Sequence, residues 1–373
     1  MRSIAAICTA ADAPLVIDTI QVAPPRAGEV LVEIAASGLC HTDLTAVEGS
    51  NASCVYPAVL GHEGAGRVVE VGPDVSGLRV GDHVIPLYGA ECGICKMCLS
   101  KRTNLCWSIK PTRDRGLMPD SSTRFTWHDA PLHHFMGTST FSRYTVVPQI
   151  ALAQIRADAP LDCVCLFGCG VTTGVGAALR DVREGDNVVI FGLGGVGMNV
   201  VQGARIAGAK SIIGVDLNPN RANIARRLGT THFVDASDGI EAVNDAVREL
   251  TGGGADVAFE CTGRVSVMRQ ALDCCHVGWG TCVLLGVEPR AAEMAFAPIA
   301  VRYGKTIKGS YFGGVRGRTE LGYFVDLYMD GKLDIETLIT HRLPLEEINR
   351  GFDMMVSGES LRSVVMFEAT NNL

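Results

Sequence analysis

The spacing of apolar and polar residues along the chain changes near residue 170. Up to that point, short alternating or apolar runs between turn residues predict a β-rich region. Beyond it, continuous apolar runs alternate with segments of about 20 residues, which are long enough for crossover helices. These runs cover residues 187–191, 211–216, 255–260, 281–286 and 306–310. They predict strands of a parallel sheet that is buried on both faces.

After about residue 312 the pattern changes again, to a helix, a turn and a last strand over residues 363–367. A chain of 373 residues is longer than a single core usually grows, so two domains are expected. We assign residues 1–170 and 312–373 to one domain and residues 171–311 to the other. The first eight residues predict a strand rather than a secretion signal, because Asp12 and Asp18 follow a short apolar run.

Charge and composition narrow the classes of partner. Lys plus Arg number 33 and Asp plus Glu 40, and the net charge of −7 argues against a nucleic-acid partner. The longest apolar stretch, residues 163–179, is broken by four glycines and two threonines, so no membrane partner is expected either. Hydrophobic residues at 47% and charged residues at 20% are typical of a soluble globular protein. We therefore expect a cytoplasmic location.

Four cysteines lie close together in one short lobe of about residues 90–107. The spacing is Cys92-x2-Cys95-x2-Cys98-x7-Cys106. Four thiolates at this spacing suit a tetrahedral structural zinc without an open coordination position. An iron–sulfur cluster is the alternative, because thiolate spacing does not distinguish the two.

A glycine-rich loop follows the predicted strand 187–191. It reads Gly192-Leu193-Gly194-Gly195-Val196-Gly197 and fits the G-x-G-x-x-G pattern of dinucleotide-binding proteins. Such glycines let the backbone approach a pyrophosphate at the N-terminus of the next helix. Asp216 ends the following strand, where a carboxylate accepts hydrogen bonds from the adenosine ribose and repels a 2′-phosphate. NAD is therefore favoured over NADP, although Arg221 lies close enough in sequence to reach the ribose.

Three shorter motifs each have an ordinary structural explanation when taken singly. They are Cys40-His41-Thr42-Asp43, Gly61-His62-Glu63-Gly64 and Gly168-Cys169-Gly170. Together with the four-cysteine lobe and the glycine-rich loop, and in this order, they resemble the zinc-dependent medium-chain alcohol dehydrogenases. The resemblance covers essentially the whole chain. It is strongest to the class III group, the glutathione-dependent formaldehyde dehydrogenases, as residues 103–106, 115–120, 137–142 and 357–360 also indicate.

The resemblance implies an α/β fold of two domains. The β-rich part would be a GroES-like catalytic domain, and residues 171–311 a Rossmann domain, a doubly wound parallel sheet that binds NAD. Two zinc ions per chain are implied, one in the four-cysteine lobe and one held by Cys40, His62 and Cys169. The second ion would keep a fourth position for water or substrate and lower the pKa of a bound hydroxyl.

The same resemblance assigns roles to residues around the catalytic zinc. Thr42 would receive the substrate proton, and Asp43 would orient His62. Glu63 would lie beside the metal and either tune it or exchange transiently with one of its ligands. Thr45 stands where some relatives place a histidine that completes the proton relay, and a threonine does not titrate near neutral pH.

Further implied contacts concern cofactor and substrate. His41 and Arg362 align with positions near the pyrophosphate, and Thr173 with one near the nicotinamide. The substrate-pocket positions are Tyr88, Phe135, Met136 and Val287. A homodimer is also implied, formed by pairing of the cofactor sheets, with Val283–Val287 and Thr306–Ser310 as candidate edge elements.

The substrate depends on a few positions. Class III enzymes carry acidic residues for the glutathione ammonium group, but residues 49–54 hold no carboxylate here. Their anion-binding arginine aligns with Lys110, although Arg113 and Arg115 lie close, and a further lysine aligns with Val277. A lysine lacks the two-pronged grip of arginine on a carboxylate. The sequence therefore favours a primary or aromatic alcohol, with S-(hydroxymethyl)glutathione as the alternative. A non-catalytic or quinone-reductase-like relative is a remote third reading.

Overall fold

The computed structural model describes residues 1–368, and the chain divides into two compact units. Unit 1 comprises Met1–Cys169 together with the segment from Val315 onward, and unit 2 comprises Gly170–Gly314. Each unit has its own sheets and its own apolar core, as expected for a chain of this length.

Unit 1 is rich in β-strands. Its strands are β1 (Arg2–Cys8), β2 (Val16–Val22), β3 (Glu29–Gly38), β4 (Ala58–Val59), β5 (Glu63–Val71), β6 (His83–Pro86), β7 (Phe125–Trp127), β8 (Ala130–His134), β9 (Tyr144–Pro148), β10 (Leu152–Ile155), β17 (Ile339–Pro344) and β18 (Arg362–Met366). Its helices are α1 (His41–Val47), α2 (Lys96–Leu99), α3 (Lys110–Arg113), α4 (Leu161–Val164), α11 (Gly317–Met329) and α12 (Ile348–Val356). The first strand confirms the prediction for the N-terminal residues.

The strands of unit 1 form a barrel and a larger sheet. The barrel is closed in the order β1-β2-β7-β8-β4, and the sheet runs β10-β6-β5-β3-β18-β17, with β9 also paired to β3. At the end of β3, Gly38 lies opposite Glu63 of β5 on one side and Val364 of β18 on the other. This register brings the starts of β5 and β18 to the point where the chain leaves β3 for Cys40.

Unit 2 is a parallel sheet with helices between its strands. The strands are β11 (Asn187–Phe191), β12 (Ser211–Asp216), β13 (His232–Asp235), β14 (Val257–Glu260), β15 (Thr281–Leu284) and β16 (Thr306–Gly309). The helices are α5 (Gly170–Asp181), α6 (Gly195–Ile206), α7 (Arg221–Leu228), α8 (Ile240–Thr251), α9 (Val265–Cys274) and α10 (Ile299–Arg302). The strand order is β13-β12-β11-β14-β15-β16. The predicted doubly wound parallel sheet is thereby confirmed.

The central strands of unit 2 are buried on both faces. Val188, Val189 and Ile190 of β11 have no exposed surface. Because neighbouring side chains of a strand point to opposite faces, a run of this kind requires cover on both sides of the sheet. This is why the continuous apolar run identified β11 with its observed bounds.

Two strands beyond residue 170 lie outside the predictions. β13 and β17 are the outermost strands of their sheets and are only partly buried. The sequence of β17, Ile-Thr-His-Arg-Leu-Pro, mixes polar residues with a terminal proline and therefore lacks a clear alternation. The prediction that Val283–Val287 forms a sheet edge is wrong, because β15 pairs with β14 on one side and β16 on the other.

His134 is the last residue of β8 in the barrel of unit 1, and it is 1% exposed. Its Nε2 accepts a hydrogen bond from the backbone N–H of Arg124 at 3.1 Å, and its ring stacks on Phe125 with centroids 4.3 Å apart. Burial, assisted by the charge of Arg124, lowers the pKa of His134 from 6.5 to about 3. The imidazole is therefore neutral in the folded protein at neutral pH.

This shift predicts acid sensitivity. Below pH 6.5 the unfolded chain protonates His134 and the folded chain does not, so stability is present above that pH and lost as the pH falls towards 3. Each pH unit below the pKa of His134 in the unfolded chain lowers the free energy of unfolding by about 1.4 kcal/mol. Urea unfolding should show that the free energy of unfolding is roughly 2 kcal/mol lower at about pH 5 than at about pH 7.5. This difference should be absent in His134→Gln, which keeps a hydrogen-bond acceptor but does not titrate. An equal loss in both proteins would contradict the assignment.

No single helix within residues 1–368 has the length and apolar character needed to cross a membrane. One broken pair, Leu161–Gly168 with Gly170–Asp181, passes on length and composition.

Candidate active site

The four cysteines of the lobe converge on one point. The sulfur atoms of Cys92, Cys95, Cys98 and Cys106 lie within 4.8 Å of one another, and all four are free thiols. Burial opposes ionisation of Cys95, but hydrogen bonds from Cys98 and Cys92 outweigh it and lower the pKa of Cys95 to about 6. Four sulfur ligands in one shell, with no other ligand residue in the group, fit a closed tetrahedral zinc site.

A second group of possible ligands lies at the end of β3. Ligand atoms of Cys40, His62, Glu63 and Cys169 lie within 4.8 Å of one another. Cys40 precedes α1, His62 precedes β5, Glu63 begins that strand, and Cys169 follows a short 3-10 turn at Cys165–Gly168. The structure thus brings together four residues that lie up to 129 positions apart in the sequence.

Asp43 fixes the imidazole of His62. Its Oδ1 lies 3.0 Å from Nδ1 of His62 and also accepts the backbone N–H of Gly61 at 3.1 Å. Both side chains are fully buried. Nε2 of His62 has no hydrogen-bond partner within the described residues. A buried imidazole held by a carboxylate through one nitrogen, with the other nitrogen left unpartnered beside two thiols, fits a metal ligand.

The electrostatics of this group also fit the binding of a cation. A hydrogen bond from the thiol of Cys169 lowers the pKa of Cys40 well below its usual range. Burial opposes a charge on His62, yet Asp43 and Cys40 together raise its pKa well above the usual value. The side chains therefore supply positive charge from their own protons, which a divalent ion would displace.

Glu63 and Arg362 form a buried ion pair next to the two cysteines. Oε2 of Glu63 accepts from Nη2 of Arg362. Burial raises the pKa of Glu63 to about 8, although Arg362 opposes the shift. A Cβ at Gly38 would come within 2.6 Å of this carboxylate oxygen, so only glycine leaves room for the pair. Arg362 was predicted at the cofactor pyrophosphate, and the structure adds Glu63 as its partner.

The residues predicted for proton transfer lie on α1. Thr42 is half-buried, and no hydrogen bond of its hydroxyl group is found within residues 1–368. The Thr45 hydroxyl donates to the carbonyl of Thr42 at 2.8 Å and accepts from Nδ2 of Asn51 at 3.2 Å. It is thus engaged in the local turn. His41 is exposed at the start of the helix.

Three of the predicted pocket residues belong to unit 1. Tyr88 and Phe135 are buried with ring centroids 6.0 Å and 6.4 Å from that of His62, each edge-on to it. Met136 is half-buried beside Phe135 and has a positive φ of 53°. The fourth, Val287, belongs to unit 2 and is 73% exposed there. The structure brings Tyr88 and Phe135 to His62 in unit 1.

The glycine-rich loop of unit 2 has the geometry of a dinucleotide site. Gly192 has a φ of 88°, Gly194 precedes α6, and Gly195 and Val196 open that helix. A Cβ on Gly197 would lie 1.9 Å from the carbonyl oxygen of Gly192, so the turn requires glycine. Free backbone N–H groups at this helix start suit a pyrophosphate.

Asp216 supports the loop from the neighbouring strand. Its Oδ2 accepts the backbone N–H of Leu193 at 2.6 Å, and its Oδ1 that of Asn218 at 2.8 Å. Arg221 begins α7 five residues later, and Thr173 is buried in α5. Asp216, Arg221 and Thr173 all lie in unit 2, and their contacts with a cofactor stay predictions.

Comparison with known proteins gives the family. Residues 26–157 match the model of the alcohol dehydrogenase GroES-like domain, and residues 195–328 match that of the zinc-binding dehydrogenases. The chain belongs to the zinc-binding alcohol dehydrogenase family. As in the family, it is an NAD-dependent zinc oxidoreductase, which confirms the predicted reaction class and cofactors.

Individual relatives cover the whole chain. "Alcohol dehydrogenase class-3" of Cereibacter sphaeroides is 52% identical, over 98% of this chain and 100% of its own length. "S-(hydroxymethyl)glutathione dehydrogenase" of Paracoccus denitrificans is 50% identical, over the same shares. Among solved structures, an alcohol dehydrogenase zinc-binding domain protein from Burkholderia ambifaria matches with a TM-score of 0.93, 36% identity and coverage of 99% and 100%.

Three contacts at these sites were not predicted from the sequence, although Arg113 was named there as a possible anion-binding residue. Gly38 makes room for the Glu63–Arg362 pair, Arg113 donates to the backbone carbonyl of Tyr88, and Glu260 holds a loop next to Gly192. Gly38 and Arg113 act through contacts with residues 25 positions away, whereas Glu260 holds the loop that directly follows it. Only the position of Glu260 at the end of a predicted strand gave a signal, since ligands of parallel sheets bind at that end.

Replacement of Asp216 by alanine in this alcohol dehydrogenase should weaken NAD binding and relax discrimination against NADP. The variant loses an acceptor for Leu193 and for the ribose, contacts to a charged group worth about 1.5–3 kcal/mol. The KM for NAD should rise roughly tenfold to a hundredfold. Asp216→Asn, which keeps an oxygen but no charge, should chiefly gain activity with NADP. An unchanged ratio of kcat/KM for the two cofactors in both variants would place the ribose contact elsewhere.

Proposed function

We propose that the chain oxidises S-(hydroxymethyl)glutathione, the adduct of formaldehyde and glutathione, to the corresponding thioester with NAD. The observation that carries the proposal is the identity of 50–52% along the full chain to proteins named for class-3 activity or for this substrate. The primary or aromatic alcohol favoured by single positions of the sequence has less support. The reaction class is common to both substrates.

Of the basic residues between positions 110 and 115, Arg115 has no carboxylate partner in the described residues. Lys110 and Arg113 both pair with Asp114, so each already has a carboxylate partner. Arg115 is exposed, and no carboxylate lies within ion-pair distance of it in the described part of the chain. Arginine can hold a carboxylate with two parallel hydrogen bonds. Arg115 is therefore the candidate to replace the family arginine that aligns with Lys110.

The residues of the metal group would act as follows. Cys40, His62 and Cys169 hold zinc, and Asp43 keeps the imidazole oriented through its hydrogen bond at 3.0 Å. When bound, zinc supplies a Lewis acid and NAD a hydride acceptor. Thr42 would receive the proton of the substrate hydroxyl and release its own hydroxyl proton in the same relay. The Thr45 hydroxyl donates a hydrogen bond to the backbone carbonyl of Thr42. The proton therefore leaves Thr42 by a route that does not depend on a titrating side chain at position 45.

Steady-state kinetics separates the two substrates. NADH formation should be fast with formaldehyde plus glutathione and slow with formaldehyde alone, benzyl alcohol or octanol. Arg115→Ala should raise the KM for the glutathione adduct and leave that for octanol unchanged. If benzyl alcohol or octanol is oxidised efficiently and glutathione has no effect, the enzyme is a general alcohol dehydrogenase and the proposed substrate is wrong.

We also propose a homodimer formed at the edge of the unit 2 sheet. β16 ends the strand order, and of its residues only Ile307 is half-buried, the others being exposed. An unpaired edge of this kind is a template for pairing with a second copy. Light scattering should give twice the chain mass of 39.6 kDa. Ile307→Pro, which removes an edge N–H, should give the mass of a single chain; a monomeric wild-type protein would contradict the proposal.

A further inference from the structure

The crevice of the unit 2 sheet lies where the strand order reverses. From β11 the chain continues to β12 and β13 on one side, and then crosses to β14, β15 and β16 on the other. In open parallel sheets, ligands bind at the carboxyl ends of the two strands that flank such a reversal. The loop after β14, residues 261–263, therefore lies opposite the Asp216 side of the glycine-rich loop.

Glu260, the last residue of β14, organises this loop. Its side chain is fully buried. Oε1 accepts the backbone N–H of Thr262 at 2.6 Å and that of Gly263 at 3.0 Å, and also the Thr262 hydroxyl. The backbone carbonyl of Glu260 accepts the N–H groups of Leu285 at 2.9 Å and Gly286 at 3.1 Å. One residue thus ties together the loops that follow β14 and β15.

The loops held by Glu260 pack tightly against the glycine-rich loop. A Cβ on Gly192 would come within 2.6 Å of Cγ2 of Thr262. A Cβ on Gly263 would come within 2.3 Å of the carbonyl oxygen of Val287, and one on Gly286 within 2.0 Å of the nitrogen of Gly263. With spacing this close, a shift of residues 261–263 would be transmitted directly to Gly192.

The other carboxylate oxygen of Glu260, Oε2, makes no stabilising contact with the described residues. Oε2 is buried without a hydrogen-bond partner in the described residues, and no cation pairs with the carboxylate there. Burial raises the pKa of Glu260, although its three donors oppose the shift. Since burying an unpaired carboxylate costs free energy, the residue is better explained by what it positions than by what it stabilises.

We propose that Glu260 is a positioning residue for NAD, which keeps residues 261–263 against the glycine-rich loop and so preforms the wall of the crevice opposite Asp216. Asp216 holds Leu193 from one side, and Glu260 holds Thr262 and Gly263 from the other. The pyrophosphate loop is then fixed by one carboxylate on each flank before the cofactor arrives. Preformed geometry of this kind lowers the cost of binding.

Glu260→Gln tests the proposal with the full-length zinc-loaded enzyme. The amide oxygen replaces Oε1 with a weaker acceptor, and the NH2 group enters the buried position of Oε2, which has no hydrogen-bond partner in the described residues. Hydrogen exchange of the peptide covering residues 257–265 should become faster in the free protein. The Kd for NADH, followed by fluorescence, should rise about tenfold, the equivalent of roughly 1.4 kcal/mol, whereas kcat at saturating NAD should change less than the KM for NAD.

Two further variants keep the result interpretable. Thr262→Val removes the hydroxyl donor but keeps the backbone donor, so its Kd for NADH should lie between those of the wild type and Glu260→Gln. Glu249→Gln, which makes the same change of charge on the exposed face of α8, should leave NADH binding unchanged. An unaltered Kd in Glu260→Gln, or a lower melting temperature without a weaker Kd, would overturn the proposal. Because NADH binding needs no alcohol, neither result depends on the proposed substrate.

Discussion

Replacement of His62 by alanine is expected to abolish alcohol oxidation while the protein remains folded. The variant removes the only nitrogen of the group formed with Cys40 and Cys169, and two thiols alone hold zinc poorly. Loss of the Lewis acid removes several kcal/mol of stabilisation from the reacting oxygen, so kcat/KM should fall by roughly a thousandfold or more. Activity assays combined with elemental analysis measure both effects.

The zinc content of this variant should fall by one ion per chain, because the four-cysteine lobe is untouched. His128→Ala is the matched control, since the side chain of His128 is 72% exposed and lies outside both groups of ligands. Its zinc content and activity should equal those of the wild type. Near-normal turnover of His62→Ala would show that His62 is not a ligand of the catalytic ion.

Replacement of Cys98 by serine is expected to act on stability rather than on chemistry. It removes one of the four sulfur atoms that lie within 4.8 Å of one another, and a structural zinc contributes directly to the folding free energy of the segment that it holds. The lobe should unfold locally, with a loss of several kcal/mol of local stability. Trypsin should then cleave after Lys96, Lys101 and Arg102, because local unfolding lets the backbone on either side of these exposed residues enter the protease.

Limited proteolysis and zinc analysis together measure local unfolding and metal loss in Cys98→Ser. Cys98→Ser should lose one zinc and become sensitive to trypsin between residues 92 and 107, but retain measurable turnover at low temperature. Cys54→Ser, at a half-buried cysteine outside both groups, should resist trypsin like the wild type. Full protection of the lobe in Cys98→Ser would mean that the four cysteines do not share a metal.

Spacing along the chain predicted some parts of the molecule better than others. The four cysteines lie within fifteen residues, so their convergence could be read from the sequence. β11 could be predicted because both of its faces are buried. The outer strands β13 and β17 are half-exposed and lack such a pattern. The ion pair of Glu63 with Arg362 joins residues 299 positions apart, and it follows from the register of β3 with β5 and β18, which the sequence does not display.

The substrate shows the limit of arguments from single positions. The lysine at position 110 and the absence of carboxylates in residues 49–54 favoured a general alcohol. The structure shows that Asp114 forms ion pairs with Lys110 and Arg113, whereas Arg115 has no carboxylate partner in the described residues. A carboxylate of the substrate can be met by a cation a few residues away. A comparison of single aligned positions does not reveal that a neighbouring cation can bind the substrate carboxylate instead.

The zinc positions themselves are the most direct test. Anomalous diffraction from crystals of the wild-type protein at the zinc absorption edge should show two peaks per chain. One should lie between Sγ of Cys40, Nε2 of His62 and Sγ of Cys169, and the other among the sulfur atoms of the four-cysteine lobe. A chain with full activity and no anomalous peak at the first position would contradict the catalytic site described above.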